Sequence, residues 1–328
     1  MQRAERLATP WAPSLRGSWL WPYVDLARVD HWAKNVFVLP GIVLALWVGS
    51  GIELADLLVN TYLGLCSICL IASSNYVINE IMDGGFDRHH PTKCERPVPS
   101  GRVRLDVAYA QWLTLMAVGL WVGWMVSRPF ALTMLALWAM GLVYNIPPLR
   151  SKDLPYVDVI SEAVNNPLRM LAGWFIVGAA AVPPASLLFS YWMIGCYFMA
   201  MKRFAEFRSI GDAGTAADYR KSFAFYTEDR LLVSIMFYGS AAMLFFGVFI
   251  MRYRLELILS FPLIALLMAI YLFIGLKDDS PVQHPERLYL ERSLTVAAIA
   301  CAAVMLGCLA VDMPAFRALF TPLVGTFS

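Results

Sequence analysis

Long apolar segments dominate the chain, and short polar segments separate them. A helix needs about 20 consecutive apolar residues to cross the hydrocarbon core of a bilayer. Nine segments approach that length, and the first is expected to begin earlier, near Trp32. The predicted spans are residues 36–50, 56–80, 106–126, 129–146, 157–181, 185–203, 231–251, 255–276 and 293–312. This pattern predicts an all-α integral membrane protein, with about nine transmembrane helices in a bundle and cytoplasmic cap loops.

The segments outside these spans differ in character at the two ends of the chain. Residues 1–35 are polar, contain several arginines and tryptophans, and are expected to form an amphipathic segment at the membrane interface. Residues 313–328 form an apolar tail that is too short to cross the bilayer. Between them, residues 36–312 are interpreted as a nine-helix transmembrane catalytic domain.

Composition and charge placement support a membrane protein and predict its orientation. The 328 residues are 59% hydrophobic and 15% charged, whereas soluble domains average about 25% charged. With nine spans, 21 of the 26 Lys and Arg residues lie on the side that holds the N-terminus. Because cytoplasmic loops carry an excess of Lys and Arg, we expect the N-terminus and the active site to face the cytoplasm, in a bacterial inner membrane.

Hard oxygen donors lie at helical spacing in the last turns of the second predicted span and directly after it. Asn75, Asn79, Asp83 and Asp87 are four residues apart, which predicts that they share one helix face. Stacked carboxylates repel each other unless a cation lies between them, and Mg²⁺ binds carboxylate and phosphate oxygens. The predicted Mg²⁺ site consists of Asn79, Glu80, Asp83 and Asp87. The alternative is a solvated helix end that happens to carry acidic residues.

Cationic and imidazole side chains come directly after this acidic stretch and are candidate phosphate donors. They are Arg88, His89, His90, Lys93 and Arg96. Neighbouring residues point to different faces of a chain segment, so His89 and His90 are not expected to bind one metal together.

The fifth predicted span is unusually polar for a membrane helix. Its polar residues, spaced mostly by three or four, are Asp158, Glu162, Asn165, Asn166 and Arg169. Polar groups at this depth are costly unless they face the bundle interior or water. They therefore form either an interhelical network or a face that lines the substrate, and Pro167 is expected to kink the helix.

The acidic helix and the basic loop after it resemble those of the UbiA-type intramembrane prenyltransferase superfamily, whose fold is a nine-helix bundle. The resemblance lies in an Asn-acid-x-x-Asp-x-x-x-Asp helix followed by a His-Pro-x-Lys-x-x-Arg-Pro loop, residues 79–97. Glu80 stands where Asp is usual in the family. The resemblance implies an enzyme that uses Mg²⁺ and a diphosphate substrate.

Two further segments gain a role from the same resemblance. A Lys-Asn pair opens the first helix of the family near its phosphate site, and Lys34 and Asn35 match it. Without the resemblance, this pair is equally well interpreted as a snorkelling anchor. Tyr144, Arg150 and Lys152 match the family's Tyr-plus-basic segment after the fourth helix.

The end of the sixth span departs from the aromatic prenyltransferases of the superfamily. Those enzymes carry a second Asp-rich motif there, whereas this chain has Lys202, Arg203 and Glu206. The segment resembles the decaprenyl-phosphate phosphoribosyltransferase branch, as do the matches Arg220, Lys221, Ser222, Tyr226, Thr227, Arg287 and Arg292. The Tyr-Asn-x-Pro-Pro segment and the Asn165-Asn166 pair fit that branch less well.

The preferred interpretation is transfer of a 5-phosphoribosyl group from phosphoribosyl diphosphate to a polyprenyl phosphate, in cell envelope lipid biosynthesis. Asp83, Asp87, Lys202 and Arg203 are the predicted catalytic residues. The predicted substrate-binding residues are Lys34, Asn35, Asn75, Asn79, Arg88, Lys93, Arg96, Tyr144, Lys152, Asp158, Glu162, Asn166, Arg169 and Glu206.

Three alternatives stay open. The first is transfer of an isoprenyl group from its diphosphate to an aromatic or quinone-precursor acceptor, and the second is a membrane-intrinsic cyclase of the same superfamily. The third is a transporter, although transporters place ion sites near the midplane within paired repeats, and no repeat is evident here. No nucleic-acid partner is expected, and homo-oligomerisation is left open.

Overall fold

The computed structural model describes residues 18–88, 93–179, 181–278, 280–283, 288 and 290–320, and within them the regular structure is helical. The α-helices of these residues are α1 (Trp21–Leu26), α2 (Leu39–Val48), α3 (Leu54–Asp87), α4 (Leu105–Val126), α5 (Arg128–Asn145), α6 (Val157–Ala163), α7 (Asn165–Ile176), α8 (Ala185–Ile210), α9 (Ala213–Tyr219), α10 (Glu228–Tyr253), α11 (Phe261–Gly275), α12 (Arg292–Ala310) and α13 (Pro314–Leu319).

Each predicted span overlaps at least one of these helices. The first is α2, preceded by a 3₁₀ segment from Val29 to Val38. The fifth is divided at Val164 into α6 and α7. Proline has no N–H, so Pro167 cannot donate to the carbonyl of Ala163, and the helix breaks there. The predicted effect of Pro167 is therefore found, one turn before the proline.

Five helical segments of the described residues are long and apolar enough to cross a membrane: Leu54–Asp87, Leu105–Val126, Glu228–Tyr253, Leu255–Gly275 and Arg292–Ala310. A bent pair, Trp21–Ala33 with Asn35–Val48, makes up to six if it forms one span. The chain is thus an all-α integral membrane protein, and the count of nine spans stays a prediction.

The chain forms two compact units, and each is described by itself. The first comprises residues 1–35 and 62–149. In it, the Ser67 hydroxyl of α3 donates to the carbonyl oxygen of Gly119 at 2.7 Å, and that of Ser74 donates to Trp112 at 2.9 Å. These bonds fix α3 against α4. A small core near one end of α3 includes Leu26, Val77, Val98, Val103 and Ala108.

The second unit comprises residues 36–61 and 150–328. In it α8 packs along α10, and α2 packs closely on α7. A Cβ atom at Gly41 would lie 1.9 Å from the carbonyl oxygen of Met170, so only glycine permits this approach. The largest core cluster of the unit contains Phe204, Phe223 and Ile235, and it surrounds the polar cluster described below.

Candidate active site

Helix α3 carries the acidic motif on a continuous helix of 34 residues that ends at Asp87. The predicted span ended at residue 80, so the helix runs about two turns further. Gly84 and Gly85 therefore lie inside the helix. The motif's side chains consequently have fixed angular positions around one helix axis.

One side of this helix presents amide and carboxylate oxygens towards α5. The Nδ2 atom of Asn79 donates to Asn145 Oδ1 at 2.6 Å and to Asp83 Oδ2 at 3.2 Å. The Nδ2 atom of Asn75 donates to the carbonyl oxygen of Leu137 at 2.9 Å. A Cβ at Gly141 would lie 2.2 Å from Asn75 Oδ1, so α5 needs glycine there.

Asn145 is a member of this arrangement that the sequence analysis missed. It is buried at the end of α5, and its own Nδ2 atom donates to the carbonyl oxygen of Gly141 at 2.9 Å. The available signal was an amide residue next to Tyr144, at the end of an apolar helix. Tyr144 itself is half-buried.

The other side of α3 binds the basic loop that follows it. Glu80 is 1% exposed; its Oε2 accepts from Arg28 Nη2 at 3.1 Å and its Oε1 from the backbone N–H of Val98 at 3.1 Å. Asp87 Oδ2 accepts from Arg96 Nη1 at 2.7 Å. Glu80 and Asp87 therefore each bind a residue of the loop, Val98 and Arg96 respectively.

Asp87 therefore differs from Asn75, Asn79 and Asp83 in its contacts, because it binds Arg96 of the loop, and the predicted metal set stays a prediction. A helix turns by about 100° per residue, so a spacing of four residues drifts by roughly 40° at each step. Asp87 lies about 80° from Asn79 but only about 20° from Glu80.

The donor set of the first face fits Mg²⁺. Mg²⁺ is commonly bound by one or two carboxylates together with phosphate oxygens and water, and Asp83 and Asn79 supply oxygen atoms on adjacent turns. The Oδ1 atom of Asn75 is buried and has no hydrogen-bond partner in the described part of the chain. Those same residues contain no group of three or more His, Cys, Asp or Glu side chains arranged around one point.

Arg96 lies close enough to Arg28, Glu80 and Asp87 to interact electrostatically with all three. Burial and the charge of Arg28 lower the pKa of Arg96, whereas Asp87 and Glu80 raise it. Lys93 is half-buried in a 3₁₀ turn from Lys93 to Glu95. A guanidinium stays protonated in proteins, so this group of cations suits an anionic ligand.

The remaining predicted residues of this unit vary in placement. Arg88 is exposed, and Asn35 is buried, with its Nδ2 atom donating to Cys69 Sγ at 3.2 Å. His89 and His90 lie outside the described residues, as does the side chain of Lys34.

The second unit contains a buried guanidinium bound by three carboxylates. Arg203 is 2% exposed, and its Nε atom lies 3.1 Å from Asp158 Oδ2. Its Nη1 atom lies 3.1 Å from Glu206 Oε2, and its Nη2 atom donates to Glu162 Oε2. Two carboxylates predicted on the fifth span therefore meet the Lys-Arg-x-x-Glu segment of α8. The interhelical network is the alternative that these contacts support.

Asp158, which is fully buried, has further partners on the segment after α9. Tyr226 Oη donates to Asp158 Oδ1 at 2.6 Å, and the Ser222 hydroxyl donates to Asp158 Oδ2 at 3.3 Å. The backbone N–H of Tyr156 donates to Tyr226 Oη at 2.6 Å. Sequence reasoning had named Ser222 and Tyr226 for their resemblance only, without assigning them a contact.

The predicted role of Arg203 in holding phosphate does not match this geometry. All three of its nitrogen atoms already contact carboxylates, so the side chain neutralises acids of its own unit. Lys202 is half-buried and Lys152 is 5% exposed. Asn166 packs at Gly195, where a Cβ would lie 2.4 Å from its Nδ2 atom, and Arg169 Nη1 lies 3.5 Å from the Asn165 carbonyl oxygen.

This chain is similar to known proteins over most of its length. Residues 36–295 match the UbiA prenyltransferase family. Decaprenyl-phosphate phosphoribosyltransferase of Mycobacterium tuberculosis is 32% identical over 226 residues, which cover 68% of this chain and 72% of that protein. A 4-hydroxybenzoate octaprenyltransferase of Edwardsiella ictaluri is 29% identical over 180 residues, 55% of this chain and 58% of that protein.

The fold is also similar to that of a solved structure. A UbiA homologue from Archaeoglobus fulgidus, bound to GPP and Mg²⁺, has a TM-score of 0.65 at 22% identity and covers 88% of this chain and 100% of its own. The family match extends over most of the chain, and the acidic helix and basic loop lie within it. The chain therefore belongs to the UbiA prenyltransferase family of integral membrane transferases.

Proposed function

We propose that this enzyme transfers a 5-phosphoribosyl group from phosphoribosyl diphosphate to a polyprenyl phosphate and releases diphosphate. The observation that carries the proposal is the guanidinium of Arg203 between three carboxylates. Without Arg203, the three carboxylates would favour a metal ion, and that second metal ion could bind the diphosphate of an isoprenyl donor. Because Arg203 already neutralises these carboxylates, a metal ion is expected only at the acidic motif of α3.

The rim of this cluster also favours a sugar donor. Side chains of Glu162 and Glu206 are 27% and 15% exposed, so they retain access to a ligand. Carboxylates accept hydrogen bonds from hydroxyl groups, which ribose has and an isoprenyl chain lacks. The phosphoribosyltransferase relative at 32% identity supports the same choice.

The proposed chemistry uses a nucleophile that needs no base. A phosphate oxygen of the lipid, anionic at pH 7, attacks the anomeric carbon of the ribose while the bond from that carbon to the diphosphate oxygen breaks. Asp83, with Asn79, would hold Mg²⁺, which would neutralise the leaving diphosphate, and Asp87 would hold Arg96 beside it. Arg88, Lys93, Arg96 and Lys34 would bind the other oxygens of the diphosphate, and Lys202 would bind the second anionic group.

The membrane arrangement belongs to the same proposal. It has nine spans, with the N-terminus and the catalytic loops on the cytoplasmic side of a bacterial inner membrane, as the distribution of Lys and Arg predicts. The isoprenoid tail would lie along apolar spans.

Prenyl transfer to an aromatic acceptor is the second candidate. The convergence of Asp158, Glu162 and Glu206 supports it, because displacement of Arg203 would leave an acidic site. The similarity to an octaprenyltransferase supports it also.

Purified enzyme in nanodiscs distinguishes the two candidates. We expect labelled phosphoribosyl diphosphate, polyprenyl phosphate and Mg²⁺ to give a lipid-linked ribose phosphate. Turnover of an isoprenyl diphosphate with an aromatic acid, and no lipid-linked ribose, would refute the first candidate. Asp83→Asn should abolish turnover, whereas Asp56→Asn, an exposed acid in the first turn of the same helix, should not.

A further inference from the structure

Glu80 is the member of the acidic motif whose two oxygens are both bound within the protein. One accepts the backbone N–H of Val98, the other accepts Arg28, and the residue is 1% exposed. A metal ion at this carboxylate would leave a buried N–H and a guanidinium without their acceptor, which is unfavourable. Asp83, by contrast, is half-buried on the other face.

These contacts fix the loop of residues 93–98 to α3 at two positions. Asp87 binds Arg96, and about two helical turns before it Glu80 binds the backbone at Val98. Between them, a Cβ at Gly84 would lie 2.8 Å from Val98 Cγ1, so the loop packs directly on the helix. This loop carries Lys93 and Arg96, two of the predicted diphosphate-binding cations.

Glu80 also holds a strained turn of the N-terminal segment. Arg28 has φ of +49°, a conformation that non-glycine residues rarely adopt, and its guanidinium lies 5.7 Å from the ring centroid of Tyr76. Such backbone strain persists only where surrounding contacts compensate it. The ion pair between Arg28 and Glu80, at 3.1 Å, is such a contact.

We propose that Glu80 is a positioning residue and not a metal ligand. It fixes the backbone of the 93–98 loop and the guanidinium of Arg28, so that the cations of the loop bind diphosphate in one arrangement. The proposal rests on the metal-diphosphate site of the proposed function, but not on the choice between a phosphoribosyl and an isoprenyl donor.

Metal binding in the absence of substrate tests whether Glu80 is a metal ligand. Mn²⁺ titration followed by electron paramagnetic resonance is carried out on the full chain in nanodiscs. Glu80→Gln should keep the parent affinity, as should the exposed control Glu53→Gln, whereas Asp83→Asn should lose it. Loss of Mn²⁺ binding in Glu80→Gln to the same extent as in Asp83→Asn overturns the proposal.

Hydrogen exchange of the 93–98 loop tests whether Glu80 fixes its backbone. A hydrogen bond to a charged group typically contributes enough that its loss accelerates local exchange about tenfold or more. Residues 93–98 should therefore exchange at least about tenfold faster in Glu80→Ala than in the parent. Arg28→Met should also accelerate exchange of residues 93–98. Glu80→Gln should then change the exchange rate less in the Arg28→Met background than it does in the parent.

Steady-state kinetics separate positioning from general damage. Glu80→Gln should raise KM for the diphosphate donor with kcat close to that of the parent, and Glu80→Asp should recover part of the loss. Unchanged exchange of residues 93–98 in Glu80→Ala would overturn the proposal. If Asp83→Asn binds Mn²⁺ as the parent does, the metal site of the proposed function fails, and the exchange result still decides the role of Glu80.

Discussion

Arg203 is a buried cation with three carboxylate partners, so its removal changes the charge balance of the second unit. Removing one partner of a buried ion pair typically costs about 3–5 kcal/mol. Arg203→Met should therefore destabilise the protein strongly, measured by thermal unfolding in detergent, and Arg203→Lys should lie between it and the parent. Arg252→Met, at an exposed position, is the control and should change little. An unfolding temperature of Arg203→Met equal to the parent's would contradict the network.

Tyr226 offers a pH test of the same cluster. Burial, then the charge of Asp158, raises the pKa of the Tyr226 phenol above its ordinary value of 10.0. Since the folded pKa is raised, the stabilisation is fully present below pH 10 and is lost as the pH rises above it. Tyr226→Phe should be less stable at pH 8 and should lose less stability than the parent between pH 9 and about 11. If the stabilities of the parent and Tyr226→Phe fell equally with pH, the Tyr226 phenol would make no such contribution.

The residues show where sequence reasoning succeeds. The acidic motif, the Lys-Arg-x-x-Glu segment and the polar fifth span were all recognisable from residue type and spacing. Which carboxylate binds which cation was not, because Glu80 meets Arg28 from 52 residues earlier and Arg203 meets Asp158 from 45 residues earlier. Such pairings depend on tertiary packing, which the spacing of residues within one helix does not predict.

Within helix α3, two adjacent glycines differ in their surroundings. A Cβ at Gly84 would lie 2.8 Å from Val98 Cγ1, whereas a Cβ at Gly85 would meet nothing within 4 Å. Alanine is favoured over glycine in a helix interior by about 1 kcal/mol. Gly85→Ala should therefore raise the unfolding temperature, and Gly84→Ala should displace the loop and raise KM for the diphosphate donor. Equal behaviour of the two variants would contradict the packing of Val98.

The helices themselves were largely predictable, since apolar length determines them. The nine predicted spans each overlap a helix, and the break at Val164 follows from the missing N–H of Pro167. The helical extension to Asp87 follows from the four-residue spacing of the acidic motif, whereas the loop that packs on the last turns of α3 could not be predicted, because it depends on tertiary contacts.

The whole molecule carries its charge clusters in separate units, and its orientation in the membrane is a testable prediction. In a cysteine-free background, Ser209→Cys and Arg252→Cys place single thiols at exposed positions on α8 and α10. The positive-inside rule predicts that the first is cytoplasmic and the second is not. A membrane-impermeant thiol reagent should modify Ser209→Cys in inside-out vesicles and Arg252→Cys in intact spheroplasts. The reverse pattern would refute the proposed orientation.

The guanidinium of Arg203 also has a consequence for how the enzyme responds to its ionic surroundings. A cation that is part of the chain cannot be removed by a chelator and does not dissociate when free magnesium falls. The second unit should therefore keep its charge balance in EDTA, and only the α3 motif should empty. Activation by Mg²⁺ should then follow a simple hyperbola with a Hill coefficient near 1, as expected for one dissociable ion. A cooperative, sigmoidal activation curve would indicate a second exchangeable metal.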